Sequence, residues 1–343
     1  MMKPIIENKT LKIVLWILLG MVVVIGGIAM KNNTYDFKEE RVTIPTEHGK
    51  LNALFVTPKR HEGLLGAIIV VHGDGPQTAS ARDAYKATWE RLVNKGYAVI
   101  SWDKPGVGKS EGHWLHQTMT DRADEVIQVI DWVKKDHRID ANNIGLWGAS
   151  QAGWVVPKVV GKTDIAFTIL ISPAINWVTQ GAYHTHQKML VQGKAEKEIQ
   201  EKLAAFHEGL TYLEEDVGYE QYVMMTDDKD SMSEKRWQFV KANYLSDATE
   251  ELKNFNTPVL LVLGGKDINV DAKETRMVYE AEIPEKWLQV AWFPESDHAI
   301  LKPSLVHQKW KMALHFIFSP KKIVADGYYE VQETFVRQQK MSN

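Results

Sequence analysis

The chain has no cysteine among its 343 residues, which excludes disulfide bonds and thiolate metal sites. It has no excess of one charge either: Lys and Arg number 41, Asp and Glu number 44, and the net charge is -3. Because phosphate recognition needs a basic surface and no basic stretch is present, we predict no nucleic-acid partner. Internal repeats and low-complexity segments are also absent. The hydrophobic content of 44% is enough for the large core of a globular protein.

Charge is missing altogether from residues 13–30. As a helix this run is roughly 27 Å long, close to the hydrocarbon thickness of a bilayer. Lys3, Lys9 and Lys12 precede it, and this positive flank favours a cytoplasmic N-terminus. We therefore predict that 1–31 is a single-pass membrane anchor and that the rest of the chain lies outside the cell. The alternative is a cleaved signal peptide, with small residues at Gly27-Ile28-Ala29, and a secreted protein.

The passage Gly148-Ala149-Ser150-Gln151-Ala152-Gly153 follows a short apolar strand and leads into a helix-compatible run. A serine between small residues at a strand-to-helix junction is typical of a nucleophile elbow. The turn is so sharp that bulky side chains two positions before or after the serine would collide. Gly148 and Ala152 occupy those positions, and alanine there replaces the more common glycine. The pattern predicts that Ser150 is a nucleophile.

A serine hydroxyl needs a base to accept its proton and an acid to orient that base. The buried strand 257–263 leads into Gly264-Gly265-Lys266-Asp267, and the strand 287–293 is followed by Pro294-Glu295-Ser296-Asp297-His298. Open α/β sheets place their ligand sites beyond the carboxyl ends of such strands. The order serine, acid, histidine therefore predicts a catalytic triad of Ser150, Asp267 and His298. Asp271 and Asp297 are the nearby alternatives for the acid.

Acyl transfer also needs two N–H donors for the developing oxyanion. The backbone amide of Gln151, directly after the serine, is one candidate. The β-branched strand 66–71 leads into His72-Gly73-Asp74-Gly75, and the amide of Asp74 is the second candidate. We expect the Asp74 carboxylate to turn away from the anion. For His72 we predict a structural role.

Together these motifs resemble the α/β-hydrolases, over residues 40–318. Their order, HG-x-G, D-x-P-G-x-G-x-S, G-x-S-x-A-G, G-x-x-D and D-H, is similar to that of serine aminopeptidase-like and dienelactone-hydrolase-like esterases. The resemblance implies an α/β fold with a mostly parallel sheet and helices on both faces, and it implies the same five site residues. Dienelactone hydrolases use a cysteine nucleophile, which this chain lacks.

Two motifs suggest other chemistry. The stretch Asp103-Lys104-Pro105-Gly106-Val107-Gly108-Lys109-Ser110 ends like a phosphate-binding P-loop, but Asp103 stands where the motif requires glycine. His184-Thr185-His186 offers two metal ligands without a credible third. We therefore predict no nucleotide, cofactor or metal.

The remaining pattern divides the chain into segments. A linker at 32–38 precedes a hydrolase core at 39–174 and 253–320, and residues 321–343 form a C-terminal tail. The region 175–252 has only helical signals, such as 195–213 and 233–244. We predict that it is a helical lid; the alternative is a solvated decoration that does not touch the site. Residues 305–318 are expected to form the last packing helix.

The sequence favours a serine esterase that acts on a small or medium ester through an acyl-enzyme. A serine peptidase acting on short peptides is the alternative among enzymes, and a non-catalytic, membrane-tethered binding protein is the alternative outside them. Trp147, Trp154, Trp177 and Tyr183 lie near the predicted site; they favour an apolar acyl group or simply fill the core. The oligomeric state is left open.

Overall fold

The computed structural model describes residues 9–226, 231–306 and 308–341. Lys3, the beginning of the predicted anchor and the last two residues of the predicted tail lie outside the described residues. Within them, one sheet contains the strands β1 (Lys38–Thr46), β2 (Gly49–Thr57), β3 (Leu65–Val71), β4 (Tyr97–Trp102), β5 (Ile139–Ala149), β6 (Phe167–Ile171), β7 (Val259–Gly264) and β8 (Leu288–Phe293).

The strands lie in the order β1-β2-β4-β3-β5-β6-β7-β8. β1 and β2 form an antiparallel hairpin, and β2 pairs antiparallel with β4. All other neighbouring pairs are parallel, as in β5 with β6 and β7 with β8. The six parallel strands, β3 to β8, therefore have their carboxyl ends at one edge of the sheet. This confirms the predicted mostly parallel architecture.

The described residues form the helices α1 (Lys9–Asn32), α2 (Lys86–Val93), α3 (Met119–Val133), α4 (Val156–Val160), α5 (Trp177–Val191), α6 (Glu196–Glu214), α7 (Tyr219–Met225), α8 (Glu234–Asn243), α9 (Ala272–Glu282), α10 (Lys309–Phe318) and α11 (Tyr328–Met341).

Helices cover both faces of the sheet because its strands are apolar on both sides. In β7, Leu261 and Leu263 belong to one core with α3, α4 and α9, whereas Leu260 and Val262 belong to the other core with α2 and α11. This alternation follows from the two-residue period of a strand. α3 begins at a capping box in which Thr118 and Asp121 bond each other's backbone amides.

The apolar stripe of α3 also contains two charged residues. Val126, Ile130 and Val133 are buried on one face of the helix. Arg122 and Glu125 are buried on the same helix, at 5% exposure each. Buried charges need partners, and those of Arg122 lie at the carboxyl edge of the sheet.

Residues 175–252 interrupt the alternation of strand and helix, and their described part contains the helices α5 to α8 and no strand of the sheet. α6, α7 and α8 pack around a small core of their own, which includes Tyr212, Tyr222 and Trp237. The rings of Tyr222 and Trp237 are stacked, with centroids 4.0 Å apart. The insertion is therefore a packed helical unit.

The C-terminal region differs from the prediction. Residues 321–343 were expected to be a tail, but α11 packs into the core: Phe335 and Val336 are buried, and Gln332 accepts a hydrogen bond from Trp147 Nε1 at 2.9 Å. The helix at the end of the predicted core, α10, has no buried residue. The sequence of α10 is apolar, yet α11 and not α10 is the last helix that packs against the core. An apolar stretch alone therefore did not identify the last packing helix.

The N-terminal helix α1 contains the uncharged run. Ile13–Asn32 has a mean hydropathy of 2.8, and none of this stretch is buried against the rest of the chain. Such a helix is long and apolar enough to cross a membrane, as a retained anchor or as a signal sequence.

Candidate active site

Ser150 lies in a strained turn directly after β5. Its φ is +55°, and the chain passes from β5 into a short 3₁₀ helix over Ser150–Trp154. A Cβ on Gly148 would lie 2.9 Å from the Ala152 Cβ, closer than two carbons can pack. The small residues on either side of Ser150 thus make the sharp turn possible.

Asp267 follows β7 and is joined to His298 beyond β8. Asp267 Oδ2 lies 2.7 Å from His298 Nδ1. Asp267 Oδ1 accepts the backbone amides of Asn269 at 2.7 Å and Val270 at 3.0 Å, which fixes the carboxylate. Its side chain is only 1% exposed, whereas that of His298 is 22% exposed.

The two alternative acids have other partners. Asp297 Oδ1 accepts the amides of Ala299 and Leu301, each at 3.1 Å, and so caps its own turn. Asp271 Oδ1 accepts the amides of Lys273 and Glu274 at the start of α9.

Two cavities meet at Ser150 and His298. The insertion-side cavity, of about 410 Å³, is lined by these two residues together with Trp177, His184 and Arg236 of α5 and α8. The apolar cavity, of about 440 Å³, is lined by Ser150, His298, Tyr85, Trp147, Phe316 and Tyr328. Ser150 Oγ has no hydrogen-bond partner in the described chain and stands at their junction, open to a ligand from either side.

The loop after β3 lies against the serine. A Cβ on Gly73 would lie 3.3 Å from the Ser150 Cβ and 3.3 Å from the Ala149 carbonyl oxygen, so glycine allows this close approach. Asp74 lines both cavities. Both members of the predicted oxyanion pair, Gln151 and Asp74, are thus adjacent to Ser150.

Two buried cations hold the carbonyl groups of this loop. Arg122 donates to the His72 carbonyl oxygen at 2.6 Å, and Lys104 Nζ donates to that of Gly73 at 3.1 Å. C=O and N–H of a trans peptide point in opposite directions. The amides of Gly73 and Asp74 therefore point away from these two cations.

Lys104 belongs to the P-loop-like stretch at 103–110. Its side chain is buried over the Trp114 ring, 4.5 Å from the ring centroid. Burial, with a smaller contribution from Arg122, lowers the pKa of Lys104 well below its ordinary value. Asp103 in the same loop accepts Asn52 Nδ2 at 2.7 Å and the Ala79 amide at 2.8 Å, a structural role.

The Asp74 carboxylate is paired with the helical insertion. It accepts two hydrogen bonds from Arg236 of α8, at 3.0 and 2.9 Å, and a third from Gln151 Nε2 at 3.1 Å. Loss of solvation raises the pKa of Asp74, but the hydrogen bonds and charge of Arg236 outweigh it, and the pKa is lowered. Arg122 in turn donates to Gln151 Oε1, which orients that side chain.

His72 is enclosed. Its Nε2 lies 2.8 Å from the Trp102 carbonyl oxygen, and burial lowers the pKa of His72 to about 3. The imidazole is therefore neutral near pH 7. His72 does not line either cavity.

α5 is tied to the acid-bearing loop. Gln180 donates to the Asn269 carbonyl at 3.1 Å and Tyr183 to that of Asp267 at 2.8 Å. A ring nitrogen of His184 lies 3.0 Å from the Ile268 carbonyl. Within the described chain, no group of three or more His, Asp or Glu side chains could hold a metal ion.

The aromatic residues near the site divide between the cavities. Trp154 and Trp177 are stacked, with centroids 4.8 Å apart, and line the insertion-side cavity. Trp147 lines the apolar cavity, where its ring meets Tyr85 edge-on. The aromatics thus serve both as packing and as cavity walls.

Comparisons with known proteins agree with this geometry. The serine aminopeptidase S33 family model matches residues 64–303. Dipeptidyl-peptidase 5 of Porphyromonas gingivalis is 22% identical over 245 residues, which cover 69% of this chain and 31% of that protein. The chain spans about a third or less of the length of the curated relatives it matches.

Two solved structures share the fold. An esterase of Pyrococcus furiosus superposes with a TM-score of 0.53 and 16% identity, covering 84% of this chain and 92% of that one. Est1E of Butyrivibrio proteoclasticus, solved with ferulic acid bound, superposes with a TM-score of 0.53 and 18% identity, covering 88% and 98%. The predicted resemblance to α/β-hydrolases is confirmed.

Proposed function

Since the chain belongs to the serine aminopeptidase S33 family of α/β-hydrolases, we propose that it cleaves carboxylic esters with Ser150 as nucleophile, His298 as base and Asp267 as acid. The observation that carries the proposal is the convergence of a half-buried elbow serine and a hydrogen-bonded histidine–aspartate pair on the same cavity walls. Strained backbone of this kind is concentrated at functional sites.

In the proposed reaction, Ser150 Oγ attacks the carbonyl carbon of the ester and His298 Nε2 takes the serine proton. Asp267 holds Nδ1 of the ring and stabilises the imidazolium that forms. His298 then gives the proton to the leaving alkoxide as the C–O bond breaks, which leaves an acyl-Ser150 intermediate. Water repeats the sequence: its proton goes to His298, its oxygen bonds to the acyl carbon, and the acid leaves as Ser150 regains its proton.

The amides of Gln151 and Asp74 serve as the oxyanion donors. Gln151 follows the nucleophile directly, and the Gly73 carbonyl is turned toward Lys104, which directs the Asp74 amide to the opposite side. Donors fixed before the reaction cost no reorganisation when the charge develops.

Residues 175–252 act as a lid over the insertion-side cavity. Trp177, His184 and Arg236 form part of its wall, which supports the lid over a solvated decoration. Arg236 anchors α8 to the loop after β3 through Asp74.

The charges in this cavity favour an ester over a peptide with a free N-terminus. An aminopeptidase needs an acidic group to receive the substrate ammonium. Asp74 is the sole carboxylate on the described wall of the insertion-side cavity, and Arg236 already pairs with it. A serine peptidase remains the second candidate because one of the matched relatives is named as a dipeptidyl-peptidase.

A fluorophosphonate probe and a substrate panel test the proposal. We expect the probe to label Ser150, and p-nitrophenyl esters to be cleaved faster than aminoacyl-arylamides. Labelling with preferential cleavage of the arylamides would support the peptidase. Absence of both labelling and turnover would support the non-catalytic binding protein.

A further inference from the structure

The helix α10 exposes apolar side chains to solvent. Trp310, Leu314 and Ile317 are 63%, 46% and 52% exposed. Their spacing places them on one face of the helix, and none of the residues of α10 is buried. A contiguous apolar face on a protein surface is typical of a site that contacts another protein or a membrane.

The same helix is flanked by positive charge. Lys309 and Lys311 lie in its first turn, Lys322 follows its end, and no Asp or Glu occurs between Asp297 and Asp326. Apolar and aromatic residues on one side with lysines beside them are characteristic of helices that lie in the head-group region of a bilayer. The charge is complementary to anionic lipid.

The position of α10 indicates which surface covers it. Asn32 Nδ2 donates to the Phe318 carbonyl at 2.6 Å, and Asn33 Nδ2 donates to the Ile317 carbonyl at 2.8 Å. The apolar stretch Ile13–Asn32 ends at this point. A bilayer that contains α1 therefore has its surface at the level of the last turn of α10.

The apolar cavity connects this surface to Ser150. Phe316 is 40% exposed and is also part of the cavity wall, together with Tyr85, Trp147, Tyr328 and Ser150. A cavity of about 440 Å³ is within the usual range for small-molecule sites, roughly 300–1,000 Å³. Its position lets an acyl chain reach the serine from the α10 side.

We propose that α10 docks on the bilayer surface and that the apolar cavity takes the acyl chain of a membrane-partitioned ester. The docking does not depend on the hydrolase activity; the substrate class rests on the proposed function. Lipid-borne esters with a long hydrocarbon chain are then the preferred substrates over short, water-soluble ones.

Single-cysteine labelling tests the docking, because the chain has no cysteine of its own. Leu314→Cys and Ile317→Cys are labelled with the fluorophore NBD in the full-length protein, reconstituted in vesicles of phosphatidylcholine and phosphatidylglycerol. The matched control is Met277→Cys, which is 64% exposed and lies on α9. α9 packs on the core opposite the one that contains Trp147 and Tyr328 of the apolar cavity.

We expect blue-shifted NBD emission and quenching by doxyl-labelled lipid at 314 and 317, and neither effect at 277. Equal, water-like emission at all three positions contradicts the docking. A blue shift without lipid quenching, as contact with a second protein copy would produce, also contradicts it.

The substrate class is tested with Leu314→Glu against Met277→Glu. A charge on the docking face should reduce hydrolysis of a long-chain ester in vesicles several-fold and leave hydrolysis of a short soluble ester unchanged. Equal losses on both esters, or none, would overturn the substrate class. If the unmodified protein cleaves neither ester, the proposed function fails, while the fluorescence result on docking stands by itself.

Discussion

A buried hydrogen bond joins Lys104 to Gly73: the ammonium nitrogen lies 3.1 Å from the carbonyl oxygen, and Lys104 is only 2% exposed. Since the Gly73 carbonyl and the Asp74 amide share one trans peptide, this bond sets the direction of a proposed oxyanion donor. A lysine that lines neither cavity thus fixes the orientation of a peptide whose amide we propose as an oxyanion donor.

Lys104→Met should therefore lower kcat for esters by about tenfold to a hundredfold with little change in KM, because the donor acts on the transition state. Methionine fills a similar volume, so we expect thermal unfolding to change little. Lys109→Met, an exposed position in the same loop, is the control and should retain full activity. An unchanged kcat in Lys104→Met would show that the bond does not position the amide.

Ser150→Ala should lower ester turnover on the order of 10⁴- to 10⁶-fold and abolish fluorophosphonate labelling. Alanine keeps the Cβ at a φ of +55°, so the backbone strain is matched and the fold should be intact by circular dichroism. Near-normal turnover in this variant would refute the nucleophile assignment.

Asp267→Asn should lower turnover about 10⁴-fold, because an amide beside His298 Nδ1 favours the wrong tautomer. Asp297→Asn is the matched control; its carboxylate caps a local turn, so the change should affect stability more than kcat. The reverse ranking of the two variants would move the acid to Asp297.

Arg236→Gln should lower kcat/KM for esters on the order of tenfold, because the Asp74 carboxylate then lacks its cationic partner beside the developing oxyanion. Arg236 lowers the pKa of Asp74, so its removal should raise that pKa relative to the unmodified protein. The defect should accordingly be greatest at high pH, where Asp74 is ionised, and should shrink as the pH falls and Asp74 is protonated.

The double variant Arg236→Gln/Asp74→Asn should recover most of the lost activity and lose the added pH dependence, whereas the exposed neighbour Lys235→Gln should behave as the unmodified protein. A defect in Arg236→Gln that does not vary with pH and is not relieved by Asp74→Asn would indicate that Arg236 acts only through the position of α8.

Deletion of 1–31 should give a soluble enzyme with normal activity on short esters, because β1 begins at Lys38 and no site residue is removed. The full-length protein should partition with membranes, and protease added outside intact cells should reach the hydrolase core. Mass spectrometry of the mature N-terminus distinguishes the two fates. A chain that retains Lys12 is tethered, and one that begins near Met30 has been cleaved as a signal peptide.

The sequence by itself determined the features that arise from near neighbours in the chain. Small residues at Gly148 and Ala152 around Ser150 indicated the turn, and the apolar runs 66–71 and 257–263 indicated strands of the sheet. The uncharged run in α1 indicated a possible span by its length alone. Each of these signals depends on geometry that repeats within a few residues.

The tertiary structure alone decided the pairings between distant segments. Arg236 and Asp74 are 162 positions apart, and nothing in either local sequence predicts the pair. By sequence, Lys104 lies in a stretch that ends like a phosphate-binding loop, and the segment of α11 resembles a tail. In the structure Lys104 is buried, and so are Phe335 and Val336 of α11. The partner of a buried charge and the wall of a cavity are set by which elements the sheet order brings together, and that order is a property of the whole chain.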